Sequence, residues 1–299
     1  MTPLHILISL HRGYGLGDAV QMSAVLQHVA KAHSNWIIDY QAEEGKHQVG
    51  RGIVANTFAY GQPYPSEHYD GEVQIVLYDK WHGYHDRPNT HVSSCLRECF
   101  DLEWNQESGR YRVNVSEEAM QLAGLLMFGK VIRNPAKFVA VHYEGDTSPT
   151  KKNLTHKQAD AICCEISRLG YIPIILDWRC RSPLPRQKLW APAAWGGNAE
   201  MVCAIISQCK AFVGIDSGPG KCASATDTPT MIVWTGHHPA PFHDPAPNTT
   251  HLVPVDYHHL EPVCNDPGVT DWFEAHYDIR QYRSYPIYEI GTWLSEVLR

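Results

Sequence analysis

Short apolar segments alternate along this chain with longer segments whose apolar residues recur at every third or fourth position. The short segments predict buried strands, and the periodic segments predict amphipathic helices. In the first half, strands are predicted at Leu4–Leu10, Trp36–Tyr40 and Val73–Tyr78, and helices at Ala19–His33 and His91–Phe100. Because strands alternating with helices form parallel sheets, the pattern predicts the α/β class.

The same alternation restarts in the second half. Strands are predicted at Phe138–Tyr143, Ile172–Trp178, Ala211–Ile215, Thr230–Thr235 and His251–Val255, and helices at Thr155–Leu169, Ala199–Cys209 and Ile287–Leu298. Two such units predict two Rossmann-like domains with parallel sheets that face each other across a cleft. We expect the join at Met127–Lys137, which divides the chain into domains at 1–130 and 131–285 and a final helix at 286–299.

Composition narrows the classes of protein that fit this pattern. Hydrophobic residues make up 43% of the chain and charged residues 19%, which is typical of a soluble globular protein. The net charge of −7 argues against binding nucleic acid mainly through its phosphates. No apolar run reaches the length of a membrane span, about 20 residues, and the apolar start lacks a basic region, so we interpret it as a strand and not a signal peptide.

Cysteine and histidine are both frequent, with 9 and 18 residues respectively. The cysteines are scattered and form no CxxC pair, which favours reduced thiols in a cytoplasmic protein. The histidines at 82 and 85, 237 and 238, and 258 and 259 suggest metal ligands, but none has a third ligand at a suitable spacing. We therefore expect no metal site.

One segment carries the strongest chemical signal in the chain. The predicted strand Ala211–Ile215 is followed by Asp216, Ser217, Gly218, Pro219, Gly220 and Lys221, and then by a short helix of small residues. A Gly-rich turn between a strand and a helix exposes backbone N–H groups that bind anions, and Lys221 adds a positive charge. The segment predicts a phosphate site, although an ordinary capped turn has the same pattern.

Two other turns follow predicted strands. The first contains Gly13, Gly15, Gly17 and Asp18, a spacing that differs from the GxGxxG of nicotinamide enzymes. Asp18 is either a helix-capping residue or a general base on a glycine-lined cleft wall. The second, after the strand Phe138–Tyr143, contains Glu144 and then Lys151 and Lys152. Either lysine can reach the same phosphates as Lys221, or lie in solvent.

Together, the three turns resemble those of glycosyltransferase family 9, the heptosyltransferase-like enzymes. The resemblance rests on Gly15-Leu-Gly17-Asp18, on Lys151-Lys152, and on the segment from Val213 to Gly236 with its Asp216-Ser217-Gly218-Pro219 turn. It covers most of the chain and is thin from 45 to 130. Two differences stand out: Lys221 occupies a position where the family often has histidine, and Asn153 follows the lysine pair where an aromatic residue is usual.

The resemblance implies the GT-B fold, with a nucleotide-sugar donor on the second domain and an acceptor on the first. It implies an inverting, metal-independent enzyme that needs no cofactor beyond the nucleotide-sugar itself. Asp18 matches the catalytic base, Lys151 or Lys152 the phosphate-binding lysine, and Asp216, Ser217 and Gly218 the diphosphate loop. Gly15, Gly17 and Glu144 then form the cleft wall, and the final helix is expected to pack back on the first domain.

Three other functions fit the sequence less well. A non-catalytic relative would bind a nucleotide-sugar or glycan without turnover, and a GT-B enzyme of another kind would glycosylate a modified nucleic-acid base. A nicotinamide oxidoreductase would need a ribose-binding carboxylate, for which Asp39 is the only candidate. The sequence names neither the sugar nor the acceptor, which can be a glycan, a lipid-linked glycan or a nucleic acid.

Overall fold

A computed structural model describes residues 2–76, 91–128, 137–177, 184, 188–189, 197–260 and 267–299. These residues form two β-sheets, in which every pair of neighbouring strands is parallel. The predicted α/β class with two parallel sheets is confirmed. The expected join at 127–137 lies largely outside the described residues, so the exact division remains a prediction.

The first sheet has the strand order β3-β2-β1-β4. Its strands are β1 (Leu4–Leu10), β2 (Trp36–Ala42), β3 (Asn56–Ala59) and β4 (Gly71–Ile75), and its helices are α1 (Leu16–Ala32), α2 (His91–Phe100), α3 (Gln106–Gly109) and α4 (Glu117–Phe128). Helix α1 begins three residues before the predicted start, which places Gly17 and Asp18 in its first turn. The stretch 103–112 contains the short helix α3, which Asn105 caps.

The second sheet has the order β11-β10-β9-β8-β5-β6-β7. Its strands are β5 (Phe138–His142), β6 (Ile172–Leu176), β7 (Lys188–Leu189), β8 (Ala211–Ile215), β9 (Thr230–Val233), β10 (Thr249–Pro254) and β11 (Asp278–Tyr282). Its helices are α5 (Pro149–Lys152), α6 (His156–Arg168), α7 (Ala199–Ile206), α8 (Gly218–Ser224), α9 (Pro239–Phe242), α10 (Pro267–His276) and α11 (Ile287–Val297). A capping box formed by Thr155 and Gln158 opens α6, at the predicted start of that helix.

The two sheets are joined by helix packing. Helix α1 of the first domain contacts α8, and α4 contacts α7, so that one hydrophobic core extends through both domains. Buried polar contacts cross the same boundary: the Tyr111 hydroxyl donates to Asp244 Oδ2 at 2.9 Å and accepts from the Asp244 backbone N–H at 2.8 Å. The first turn of α1 lies against the start of α8, where Gly17 and Gly218 approach each other.

The final helix, α11, packs on the second domain. Its buried residues Ile290, Trp293 and Leu294 pack in the hydrophobic cluster of the second domain, against α6 and the second sheet. The Tyr171 hydroxyl also donates to the Leu298 carbonyl at 2.7 Å. An apolar helix face needs a partner surface; among the described residues α6 and the second sheet supply it, whereas the sequence led us to expect the first domain.

Two further observations concern the cysteines and the helices. The seven cysteines in the described part of the chain are free thiols. None of the described helices has the length and apolar character needed to cross a lipid bilayer.

Candidate functional site

A pocket of about 400 Å³ lies between the two domains; we call it the interdomain pocket. Its size is within the range of small-molecule sites, about 300–1,000 Å³. The first domain contributes Gly15, Leu16, Gly17, Asp18 and His91, and the second contributes residues 142, 144–148, 152, 176–177, 216–219, 221, 237 and 242. Three sheet-edge turns that the sequence singled out therefore meet in one place.

Asp18 lies in the first turn of α1, where its carboxylate Oδ2 accepts the Gly15 backbone N–H at 2.9 Å. It therefore caps the helix and also lines the pocket. Burial raises the pKa of Asp18 above the ordinary carboxyl value, while the ammonium group of Lys221 opposes that rise. A carboxylate with a raised pKa in a pocket has the property that a general base requires.

The glycines at this point allow the two domains to touch. A Cβ added at Gly218 would lie 2.8 Å from Leu16 Cβ, and one added at Gly17 would lie 3.2 Å from Lys221 Cδ. The lysine stem therefore runs directly over the backbone of α1, next to Asp18. Glycine at 218 is therefore a steric requirement of this interface, and glycine at 17 leaves room for the Lys221 stem.

The loop after β5 places the two candidate lysines, Lys151 and Lys152, at different sites. The Asn153 amide bonds to both the N–H and the carbonyl of Gly145, at 2.8 and 3.1 Å, which closes the loop on itself. Lys152 then lines the interdomain pocket. Lys151 does not line it: its carbonyl accepts the Thr235 hydroxyl at 2.7 Å, and the residue borders a second, open groove.

Asp216 follows β8 and is almost fully buried, with 3% of its side chain exposed. Its Oδ2 lies 2.7 Å from the Lys152 ammonium nitrogen, and its Oδ1 lies 3.1 Å from that of Lys221. Burial alone would raise the pKa of Asp216, but the two ammonium groups outweigh burial and hold it well below its usual range. The Asp216 carboxylate is therefore ionised at neutral pH.

The other residues of the predicted phosphate turn either line the pocket or lie beneath its surface. Ser217, Gly218 and Pro219 line the pocket. The Ser217 hydroxyl accepts the Gly220 N–H at 3.3 Å and donates to the Ile215 carbonyl at 3.1 Å, so it caps α8. Gly220 lies beneath the pocket surface, where an added Cβ would meet the Ile215 carbonyl oxygen at 2.9 Å.

Several lining residues were not singled out from the sequence. His142 ends β5 and Asp177 follows β6, so both lie where parallel strands bind ligands; that rule would have found them. His91 and Phe242 come from distant segments and had no such signal. Burial lowers the pKa of His91 to about 4, helped by the nearby lysines, so its imidazole is neutral at pH 7.

The histidine pairs that suggested a metal have other positions. His237 lines the pocket, and the imidazole of His238 accepts the Ala240 N–H at the start of α9. His259 borders the open groove, while 82 and 85 lie outside the described residues. Among the described residues, no group of three or more His, Cys, Asp or Glu side chains is arranged to hold a metal ion.

Solved structures, but no family models or curated sequences, resemble this chain. No protein-family model matches it, and no curated protein sequence is significantly similar. Solved structures do match. A family 9 glycosyltransferase from Veillonella parvula is 12% identical with a TM-score of 0.67, covering 99% of this chain and 97% of its own.

Two heptosyltransferases from Escherichia coli match over similar lengths. ADP-heptose lipopolysaccharide heptosyltransferase II is 11% identical with a TM-score of 0.58, covering 99% of this chain and 98% of its own. WaaC, solved with ADP, is 12% identical with a TM-score of 0.57, covering 91% of this chain and all of its own. At this identity the match establishes the architecture: the chain has the two-domain GT-B fold of the family 9 glycosyltransferase structures.

Proposed function

We propose that this protein is an inverting glycosyltransferase that transfers a sugar from a nucleotide-sugar donor to an acceptor hydroxyl. One observation carries the proposal: a carboxylate with a raised pKa from one domain and two lysine ammonium groups from the other line a single pocket. Displacement of a nucleoside diphosphate requires a base for the acceptor and positive charge for the leaving group. The shared fold with family 9 structures supports the same reaction class.

In the proposed reaction, the acceptor oxygen forms a bond to the anomeric carbon as the bond from that carbon to the diphosphate oxygen breaks. Asp18 takes the proton of the acceptor hydroxyl. Attack from the face opposite the diphosphate inverts the anomeric centre. The diphosphate leaves toward the 216–221 loop and Lys152, and Gly15, Gly17 and Glu144 form other parts of the cleft wall.

The lysines are proposed to do the work that a divalent cation does in other sugar transferases. Lys152 and Lys221 place two positive charges beside the site where the leaving group would develop negative charge. Such preorganised charges stabilise the transition state without reorganisation. We therefore expect turnover to persist in EDTA, and loss of turnover that Mg²⁺ or Mn²⁺ restores would contradict metal independence.

The donor, acceptor and cellular location are proposed at a coarser level. Among the neighbours, WaaC was solved with ADP and the Escherichia coli transferase TibC with ADP-D-beta-D-heptose, which makes ADP and ADP-heptose the first probes here. The acceptor is proposed to be a hydroxyl of a glycan or lipid-linked glycan. Free thiols at the described cysteines favour the cytoplasm.

A binding experiment with a matched pair of variants tests the donor site. ADP at about 100 times its dissociation constant should stabilise the fold by about 2.7 kcal/mol, measured by thermal unfolding. Lys152→Met should weaken ADP binding about 10-fold or more, because it removes a charge-assisted contact. Lys151→Met, its neighbour outside the pocket, should leave binding unchanged.

Two results would count against the proposal. If ADP, UDP and GDP all fail to shift the unfolding temperature, the donor site is wrong. If a nucleotide-sugar binds but is never consumed with any acceptor or with water, the protein is a non-catalytic binding relative.

A further inference from the structure

Asp216 lies between the two lysines of the interdomain pocket. One carboxylate oxygen meets the ammonium group of Lys152 at 2.7 Å, and the other meets that of Lys221 at 3.1 Å. The two lysines come from different elements, the end of α5 and the first turns of α8. A single buried carboxylate therefore joins them.

The surroundings of Asp216 are those of a group that holds its neighbours and not those of a phosphate ligand. Its side chain is 3% exposed, and each of its oxygens already faces a cation. An ionised carboxylate also repels a diphosphate. All three residues line the pocket, but the lysines are more accessible, at 16% and 8%.

Each lysine has a second contact that fixes its direction. The Lys152 ammonium group lies 5.6 Å from the centre of the Phe242 ring, within the range of a cation–π contact. The Lys221 stem lies over Gly17, where an added Cβ would approach its Cδ to 3.2 Å. With Asp216 between them, both ammonium groups are held at one side of the pocket.

We propose that Asp216 is a positioning residue, which holds the ammonium groups of Lys152 and Lys221 side by side toward the leaving diphosphate and touches neither the diphosphate nor the sugar. This rests on the proposed function. It also gives a role to the lysine at 221, since a carboxylate that bridges two cations needs a cation at both positions.

The charges give this role a distinct signature. Asp216 with its two lysines carries a net charge of about +1, so removing the carboxylate charge leaves about +2 facing the diphosphate. ADP should therefore bind at least as tightly to Asp216→Asn as to the wild type. Turnover should fall about 100-fold, because misplacing a catalytic group by about 1 Å has an effect of that size.

A double-mutant cycle separates positioning from direct contact. If Asp216 acts only through the lysines, Asp216→Asn should change turnover less than about 3-fold in a Lys152→Met/Lys221→Met background, a coupling that independent sites do not show. Asp227→Asn, which removes an exposed carboxylate paired with Arg110 outside the pocket, is the matched control and should change neither ADP affinity nor turnover.

Three measurements therefore decide the proposal: ADP affinity by calorimetry, turnover from ADP-heptose, and the unfolding temperature of each variant. Should Asp216→Asn not fold, Asp216→Glu keeps the charge and moves both ammonium groups; it should bind ADP normally and turn over about 10-fold or more slowly. Two results would overturn the proposal: ADP binding weakened about 10-fold or more with kcat unchanged, or a full loss of turnover that persists without the lysines. Failure of the wild type to bind any nucleoside diphosphate would instead refute the proposed function.

Discussion

The contact between Gly218 and α1 makes a sharp prediction about the interface that forms the pocket. A methyl group at position 218 would lie 2.8 Å from Leu16 Cβ, 3.1 Å from the Gly17 nitrogen and 3.3 Å from Leu16 Cδ2. Optimal carbon–carbon contact is about 3.5–4.0 Å, so the Gly218→Ala variant must move α8 away from α1. Two of these three atoms are backbone or Cβ, which a change of rotamer cannot move.

The cost follows from these distances. Overpacking of this kind destabilises by about 1–3 kcal/mol. Replacing glycine with alanine also restricts the unfolded chain, which stabilises by about 0.4–1 kcal/mol where no clash exists. Gly145→Ala is the matched control, because Gly145 also lines the pocket and its added Cβ meets nothing closer than 3.7 Å.

Urea unfolding of the two variants measures the difference. Gly218→Ala should be less stable than Gly145→Ala by about 1–3 kcal/mol. Its turnover should also fall by about 100-fold, because α1 carries Asp18 and shifts relative to the lysines. Equal stability and equal turnover in the two variants would refute the steric account of this interface.

Further predictions concern the interface, the last helix and pH. Tyr111→Phe should lower the free energy of unfolding by about 1–3 kcal/mol in urea, because the buried Asp244 loses two hydrogen bonds to the hydroxyl. An unchanged urea midpoint would show that this residue pair adds nothing to stability. Trp293→Ala removes a side chain that is 3% exposed and should lower the free energy of unfolding by about 3–5 kcal/mol. Tyr288→Ala removes one that is 77% exposed and should change the free energy of unfolding by no more than about 0.5 kcal/mol. Equal effects of the two substitutions would place the helix elsewhere. Asp18 must be ionised to act as a base and its pKa is raised, so kcat/KM should fall as the pH drops through a midpoint above the ordinary carboxyl value. Lys221→Met should move that midpoint to higher pH, because the lysine opposes the rise in the Asp18 pKa. The same midpoint in the pH–rate profiles of the wild type and the variant would argue against coupling between Asp18 and Lys221.

The parts of the fold that the sequence revealed are those in which one segment carries its own signal. The apolar segment Ala211–Ile215, the turn after it and the helix that follows Thr155 are local patterns, and all three form as expected. The three turns meet because the carboxyl ends of parallel strands share an edge of their sheet. Sheet pattern therefore located most of the candidate site.

Other features depend on contacts between distant segments. The sequence left Lys151 and Lys152 equivalent, since only the Asn153 loop closure and the Thr235 contact separate them. The apolar face of the last helix predicted burial but not the surface that covers it. His91 reaches the pocket from the start of α2, at a position that no local pattern marks.

Asp18 is proposed to remove the acceptor proton in addition to accepting the Gly15 N–H at the start of α1. The amide oxygen of asparagine can accept the Gly15 N–H as the carboxylate oxygen does, so Asp18→Asn should fold normally, losing at most a helix-dipole contribution of about 0.3–1 kcal/mol. It cannot accept a proton. The two roles therefore differ in turnover and not in structure.

The decisive measurement is the rate of ADP release from ADP-heptose by the wild type and by Asp18→Asn, with a panel of glycan acceptors and with ADP affinity measured alongside. We predict that Asp18→Asn binds ADP as the wild type does and releases product about 100-fold or more slowly. Equal affinity with turnover within a few-fold of the wild type would contradict the account and leave Asp18 as a helix cap.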